Sequence, residues 1–297
     1  VDGGARIQPA TLSALIALVR EHTGIAMTDR KSSLLERRLR PRMRELDIAS
    51  YQGYVQRVRD DAAEVAHFID LVTTNDTLFF RTAHVWEYVE REFLPRWWRE
   101  RPGDTLRVWS AAAASGEELY SIAMLCERFQ AATPGFRYQI LATDISRQML
   151  ALARAGRYAG RSVERLLATQ PDWVRKYFTA SGDGLQVVDA LKQHVTLAQH
   201  NLLTPLKAPQ KFAHQQFNLV FLRNVLFYFD QDHQRTVLQQ VRHSMAPQAR
   251  LILGESESIT GLDTACQFER PLIYTLNANQ HDCTPTNDQR HPSPLDA

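Results

Sequence analysis

No CxxC, HExxH or GxGxxG pattern occurs in the 297 residues, and each absence removes a class of chemistry. The three cysteines, Cys126, Cys266 and Cys283, are odd in number and far apart, so no disulfide framework is legible and a reducing, cytoplasmic setting is expected. The ten histidines fall in no ligand spacing, and no metal is expected. No window reaches the roughly 18 uncharged apolar residues of a membrane-spanning helix. No basic segment followed by an apolar run opens the chain, so neither membrane insertion nor a secretory signal is expected. The net charge is only +2, too little to argue for a nucleic-acid partner. What is present is an ordinary globular mixture, 44% hydrophobic and 23% charged, long enough for one large or two ordinary domains.

Two textures follow one another. Residues 1–72 read as a helical domain: Leu12, Leu15, Ile16 and Val19 recur at helical spacing, as do Leu34, Leu35, Leu39, Met43 and Leu46. Two further helices carry Tyr51, Tyr54, Val55 and Val58, then Val65, Phe68, Ile69 and Val72. The second helix is crowded with cations, including Arg37, Arg38, Arg40, Arg42 and Arg44, and its Pro41 is expected to kink or shorten it. Residues 73–104 read as a linker and connecting helix, opening with the mixed stretch "TTNDTLFFR" (73–81). From residue 105 to 278, strand-like runs alternate with helical ones: "LRVWSA" (106–111), "YQILATDIS" (138–146), "HVTLAQHNL" (194–202), the start of "FNLVFLRNVLFYF" (217–229), "RLILGESES" (250–258) and a closing "FERPLIYTLN" (268–277). That alternation predicts an α/β, Rossmann-like parallel sheet. Residues 157–193 break the rhythm, and Gly182-Asp183-Gly184 beside "LQVV" predicts a small antiparallel β insertion. The polar, proline-rich residues 279–297 read as a disordered tail.

Ligands of such sheets sit beyond the C-terminal strand ends. After the first strand, Ala111–Ala114 leave room for a close approach; Ser115 and Glu118 match a capping box, or Glu118 meets a cationic ligand group. After the second strand, Asp144 either caps the next helix or accepts from both hydroxyls of a ribose. His200-Asn201-Leu202 follow the third strand and Arg223-Asn224 the fourth. Polar residues at four successive strand ends, with no phosphate cradle, fit S-adenosylmethionine (SAM) better than a nucleotide phosphate.

With "TTNDTLFFR", "RVWSAAAASGEELYSIAM" (107–124), "ATDIS" (142–146), "NLL" (201–203), "FNLVFLRNVLFYFD" (217–230) and "GESES" (254–258) in this order, the chain resembles the CheR-type chemotaxis-receptor glutamate O-methyltransferases over roughly residues 10–278. The resemblance implies a class I SAM-dependent methyltransferase, with an all-α N-terminal bundle. It would form glutamate methyl esters on the cytoplasmic helical region of chemoreceptors and so tune adaptation, releasing S-adenosylhomocysteine (SAH). It implies cofactor contacts at Asn75, Thr77, Arg81, Glu118, Asp144, Asn201, Leu202, Arg223 and Asn224, and places Arg81 and Tyr228 at the transfer centre. Arg38, Arg42 and Arg44 on the basic helix would meet the acidic receptor. Glu255 stands where the family commonly has histidine, and the short turn at 181–185 suggests independence of a receptor C-terminal pentapeptide.

Two other readings compete. A nucleic-acid methyltransferase would use the arginine helix on phosphates, but Arg223-Asn224-Val225-Leu226 is not the Asp/Asn-Pro-Pro-aromatic motif of amino-base enzymes. A catalytically silent SAM- or SAH-binding regulator would keep the pocket without the transfer.

Overall fold

The computed structural model describes residues 6–262 and 265–276. The residues read as a disordered tail lie outside that range, as does Cys283. Four helices come first: α1 Pro9–Thr23, α2 Ser32–Glu45, α3 Tyr51–Asp60 and α4 Ala62–Val72. Their buried stripes, among them Leu15, Val19, Leu35, Leu39, Tyr54, Val58 and Phe68, meet in one core. Ser50 and Asp61 begin α3 and α4 by accepting from the amides of Gly53 and Ala63. Pro41 does not end α2, which continues to Glu45. Leu35, Leu39 and Met43 lock the helix into the core, and Pro41 itself is exposed, where water can take the carbonyl it leaves free.

After the linker, α5 (Ala83–Tyr88), a π turn (Val89–Phe93) and α6 (Leu94–Glu100) form an unbroken helical rod. The sheet follows: β1 Thr105–Ser110, α7 Glu117–Ala132, β2 Arg137–Asp144 and α8 Arg147–Ala155. After the insertion come β6 Val195–Gln199, β7 Phe217–Leu222, α12 Gln231–His243, β8 Met245–Leu253, β9 Cys266–Arg270 and β10 Ile273–Leu276. The strand order is β6-β2-β1-β7-β8-β10-β9. The first five strands are parallel and the last two antiparallel. Thus the expected single closing strand is a hairpin. β7 is buried along its whole length, as a central strand covered on both faces must be.

The insertion holds more than its antiparallel strands. Strands β3 (Arg157–Tyr158), β4 (Phe178–Ser181) and β5 (Gly184–Val187) pair in the order β3-β5-β4. Helices α9 (Arg161–Thr169), α10 (Pro171–Tyr177) and α11 (Asp189–Lys192) complete it. Phe79 of the linker packs edge-on against Tyr158 and Phe178, and Phe80 packs edge-on against Trp86 and at a tilt against Trp173. The two phenylalanines therefore fasten the linker between rod, insertion and sheet.

Candidate cofactor and transfer site

Strand order reverses at β1, which has β2 on one side and β7 on the other. A cleft of about 910 Å³, open to solvent, lies at the C-terminal ends of these strands and of β6. It brings together Asn75, Thr77, Arg81, Glu118, Asp144, Asn201, Leu202, Arg223, Asn224 and Tyr228. The linker residues Thr73–Leu78 supply a further wall.

Each strand end is held by specific bonds. Asp144 is buried, and its two carboxylate oxygens accept from the amides of Ala114 and Ser146 at 2.9 Å each. It does not cap α8; Ser146 does, accepting from the Met149 amide. Burial pushes the Asp144 carboxyl up, and the surrounding backbone amides pull the other way. The capping box at Ser115 and Glu118 is not formed. Gly116 is the N-cap of α7, with φ 99, and Ser115 Oγ instead donates to Glu117. Glu118 accepts from Ser110 Oγ at 2.8 Å and from Arg223 Nη1 at 3.2 Å. Burial pushes its carboxyl up against the pull of Arg223. Arg223, itself buried, also donates to the Arg81 carbonyl and to Thr82 Oγ1, tying the fourth strand end to the linker.

Backbone strain gathers here. Of eight non-glycine residues at positive φ among those described, Ala114 and Asn224 line the cleft, and Phe80 and Thr82 flank its Arg81. Each is anchored by a side chain or to one: the Phe80 amide by Ser121 Oγ, Thr82 by Arg223, the Ala114 amide by Asp144 and the Asn224 amide by Glu257. Glu257 is one residue the sequence reading missed. Its buried carboxylate accepts from the amides of Gly254, Asn224, Val225 and Leu226, fixing the turn that carries Tyr228. The acid in "GESES" after a strand was the available signal. Glu255, by contrast, is exposed and does not line the cleft.

Thr23, Ile25, Ile145, Val225 and Phe229 also line the cleft and were not assigned, whereas His200, read as part of the third strand end, lines it as expected. Thr23 and Ile25 come from the helical domain: Ile25 bridges Phe229, and the Ala26 amide donates to the Tyr228 carbonyl at 2.7 Å. His200 packs on Trp109, and its buried Nε2 has no hydrogen-bond partner among the described residues. Burial pushes the imidazole down to about 4. Asn201 donates to the His22 carbonyl, a second tie to the helical domain. Tyr228 sits against the Thr74 side chain, near both Arg38 and Arg81; burial is the largest influence and pushes its phenol up.

The basic helix divides by role. Arg38 donates to the carbonyls of Val72 and Thr73 and to Thr74 Oγ1, so it closes α4 and grips the linker. Arg42 is engaged within the helical domain. Its guanidinium bonds buried Glu64, with the shortest contact at 2.6 Å, and Glu45 at 3.1 Å, while Tyr54 completes the Glu64 cluster. It braces the helical domain. Arg37 and Arg44 are exposed and make no ion pair among the described residues.

The cleft fits SAM. A buried acid that makes no ion pair among the described residues suits the two hydroxyls of a ribose, and small side chains at Ala111, Ala112 and Ala114 admit a flat ring or chain. Asn75 and Arg81 add polar contacts on the linker side. Sheet topology and donor set together define the class: a SAM-dependent methyltransferase with a helical domain across its cleft. The chain belongs to the CheR methyltransferase family: the family's all-alpha domain matches residues 10–73 and its SAM binding domain residues 75–271. It is 34% identical over 244 residues to chemotaxis protein methyltransferase 1 of Pseudomonas aeruginosa, covering 80% of this chain and 86% of that protein. Identity to the Vibrio parahaemolyticus chemotaxis protein methyltransferase is 36%, over 85% of this chain and 92% of the other. Identity to that of Escherichia coli is 33%, over 88% of each. No helix among the described residues is long and apolar enough to cross a membrane, and no cluster of metal-ligating side chains occurs among them.

Proposed function

We propose that the protein methylates glutamate side chains in the cytoplasmic helical region of chemoreceptors, giving the methyl ester and SAH. The observation that carries this reading is that Arg81 and Tyr228 both line the cleft, beside a helix whose exposed Arg37 and Arg44 make no ion pair among the described residues. Bound SAM supplies an electrophilic methyl group on a sulfonium. A glutamate acceptor, whose carboxyl ordinarily titrates at about 4.3, is already ionised at neutral pH, so the residues have no proton to remove. Their work is alignment and exclusion of water. Arg81 and Tyr228 orient the incoming carboxylate, and the linker over the cleft keeps bulk water out. Asp144, Asn75, Thr77 and Asn201 hold the cofactor, and the Glu118–Arg223 pair fixes the strand ends beneath it.

Arg37 and Arg44 steer the acidic receptor helix. The β4–β5 hairpin turns on Gly182 and Asp183 alone, which supports docking without a receptor C-terminal pentapeptide. The test is mass spectrometry of receptor cytoplasmic fragments after incubation with protein and SAM. Base-labile methyl esters on glutamate are expected. Arg81→Ala should lower kcat on the order of 100-fold with folding intact. Wild-type turnover in that variant, or methyl transfer only to RNA or DNA, would refute the reading.

A further inference from the structure

We propose that Phe227 is the specificity contact for the acceptor: an apolar anchor that seats the substrate helix beside the transfer centre. This rests on the function proposed above. Four large hydrophobic side chains are exposed among the described residues: Leu152, Leu167, Phe227 and Phe268. A lone exposed apolar residue means little. Phe227 differs in where it stands and in how it is held. It is 47% exposed, and its ring lies 4.4 Å, centroid to centroid, from that of Tyr228. Its neighbours turn inward: Leu226 and Phe229 are buried, and Val225, Tyr228 and Phe229 line the cleft. Phe227 does not line it, so a bound cofactor leaves the ring facing outward, towards whatever approaches Tyr228.

The turn beneath it is rigid. Glu257 accepts from the amides of Val225 and Leu226, and Gln234 Nε2 donates to the carbonyls of Leu226 and Phe229. On the other side, the Ala26 amide holds the Tyr228 carbonyl. An aromatic ring on a preorganised backbone loses little entropy on binding, which is how interface anchors gain their weight. The occupant is fixed by charge. The segment that grips Tyr228 leads within a few residues to Arg30 and Lys31 and then into α2 with Arg37, all exposed. A helix lying along that cationic rail must be acidic, and to cover Phe227 it must place an apolar or small side chain about one turn from the reacting glutamate. Phe227 thereby sets which glutamates of an acidic helix are accepted.

The experiment compares wild-type, Phe227→Ala and Phe227→Leu protein in steady-state transfer of labelled methyl groups to a receptor cytoplasmic fragment, with SAH affinity measured by calorimetry. Phe227→Ala should raise the fragment KM about tenfold or more with kcat and SAH affinity near wild type, and Phe227→Leu should recover most of the loss. Unchanged KM in Phe227→Ala, while the wild-type protein methylates the fragment, would overturn the anchor and leave the proposed function standing. A loss of SAH affinity in both variants would also overturn it, by showing that the ring supports the fold. If the wild-type protein methylates no fragment, the proposed function itself fails, and the anchor falls with it.

Discussion

Two side chains show how a residue's chemistry is set by what surrounds it. Arg42 looks like a docking cation in the sequence, yet it neutralises Glu64, whose side chain is 1% exposed. Removing one partner of such a pair strands a buried charge, so Arg42→Ala should cost about 3 kcal/mol or more of stability in denaturant unfolding. Arg44→Ala, at an exposed position, should cost almost nothing. His200 predicts a pH effect. Its imidazole is held down at about 4 from an ordinary 6.5, so the unfolded chain takes up that proton first as pH falls. The stabilisation is complete above the ordinary value and is lost as pH drops towards the folded one. Between pH 7 and 5 this amounts to roughly 2 kcal/mol. His200→Phe should remove that part of the slope, read from urea unfolding at both pH values. Asp144 and Glu118, pushed up by burial, slope the opposite way in both proteins, and the difference isolates His200.

At the scale of elements, α2 carries a proline that its packing overrules. Pro41→Ala restores an amide in the helix interior and should raise stability by about 1 kcal/mol or more, visible as a higher Tm. The same competition explains what the sequence made legible. Buried strands such as β7 and amphipathic helices such as α2 announce themselves through apolar spacing. The β9–β10 hairpin did not, because its turn uses Leu272 at φ 67 in place of a glycine or asparagine. The capping box failed because Gly116, at φ 99, took the cap position that the motif assigns to Ser115. Helices α9 and α10 are short, nine and seven residues, and gave too few turns for a period to stand out.

At the scale of the whole molecule, the net charge of +2 hides an uneven surface. With Arg30, Lys31, Arg37 and Arg44 exposed, the receptor KM should rise on the order of tenfold between 50 and 500 mM salt. SAH affinity, which depends on contacts within the cleft, should change far less. The strand-end residues were readable because topology collects them at one rim. Ile25 was not, because its partner Phe229 lies some two hundred positions along the chain, and no local pattern records so distant a meeting. That meeting has a consequence for any attempt to divide the protein. A single proteolytic nick in the helical rod, followed by separation of the pieces, would leave a sheet with a trough in place of a pocket. The nucleoside's resting place would have lost one of its walls.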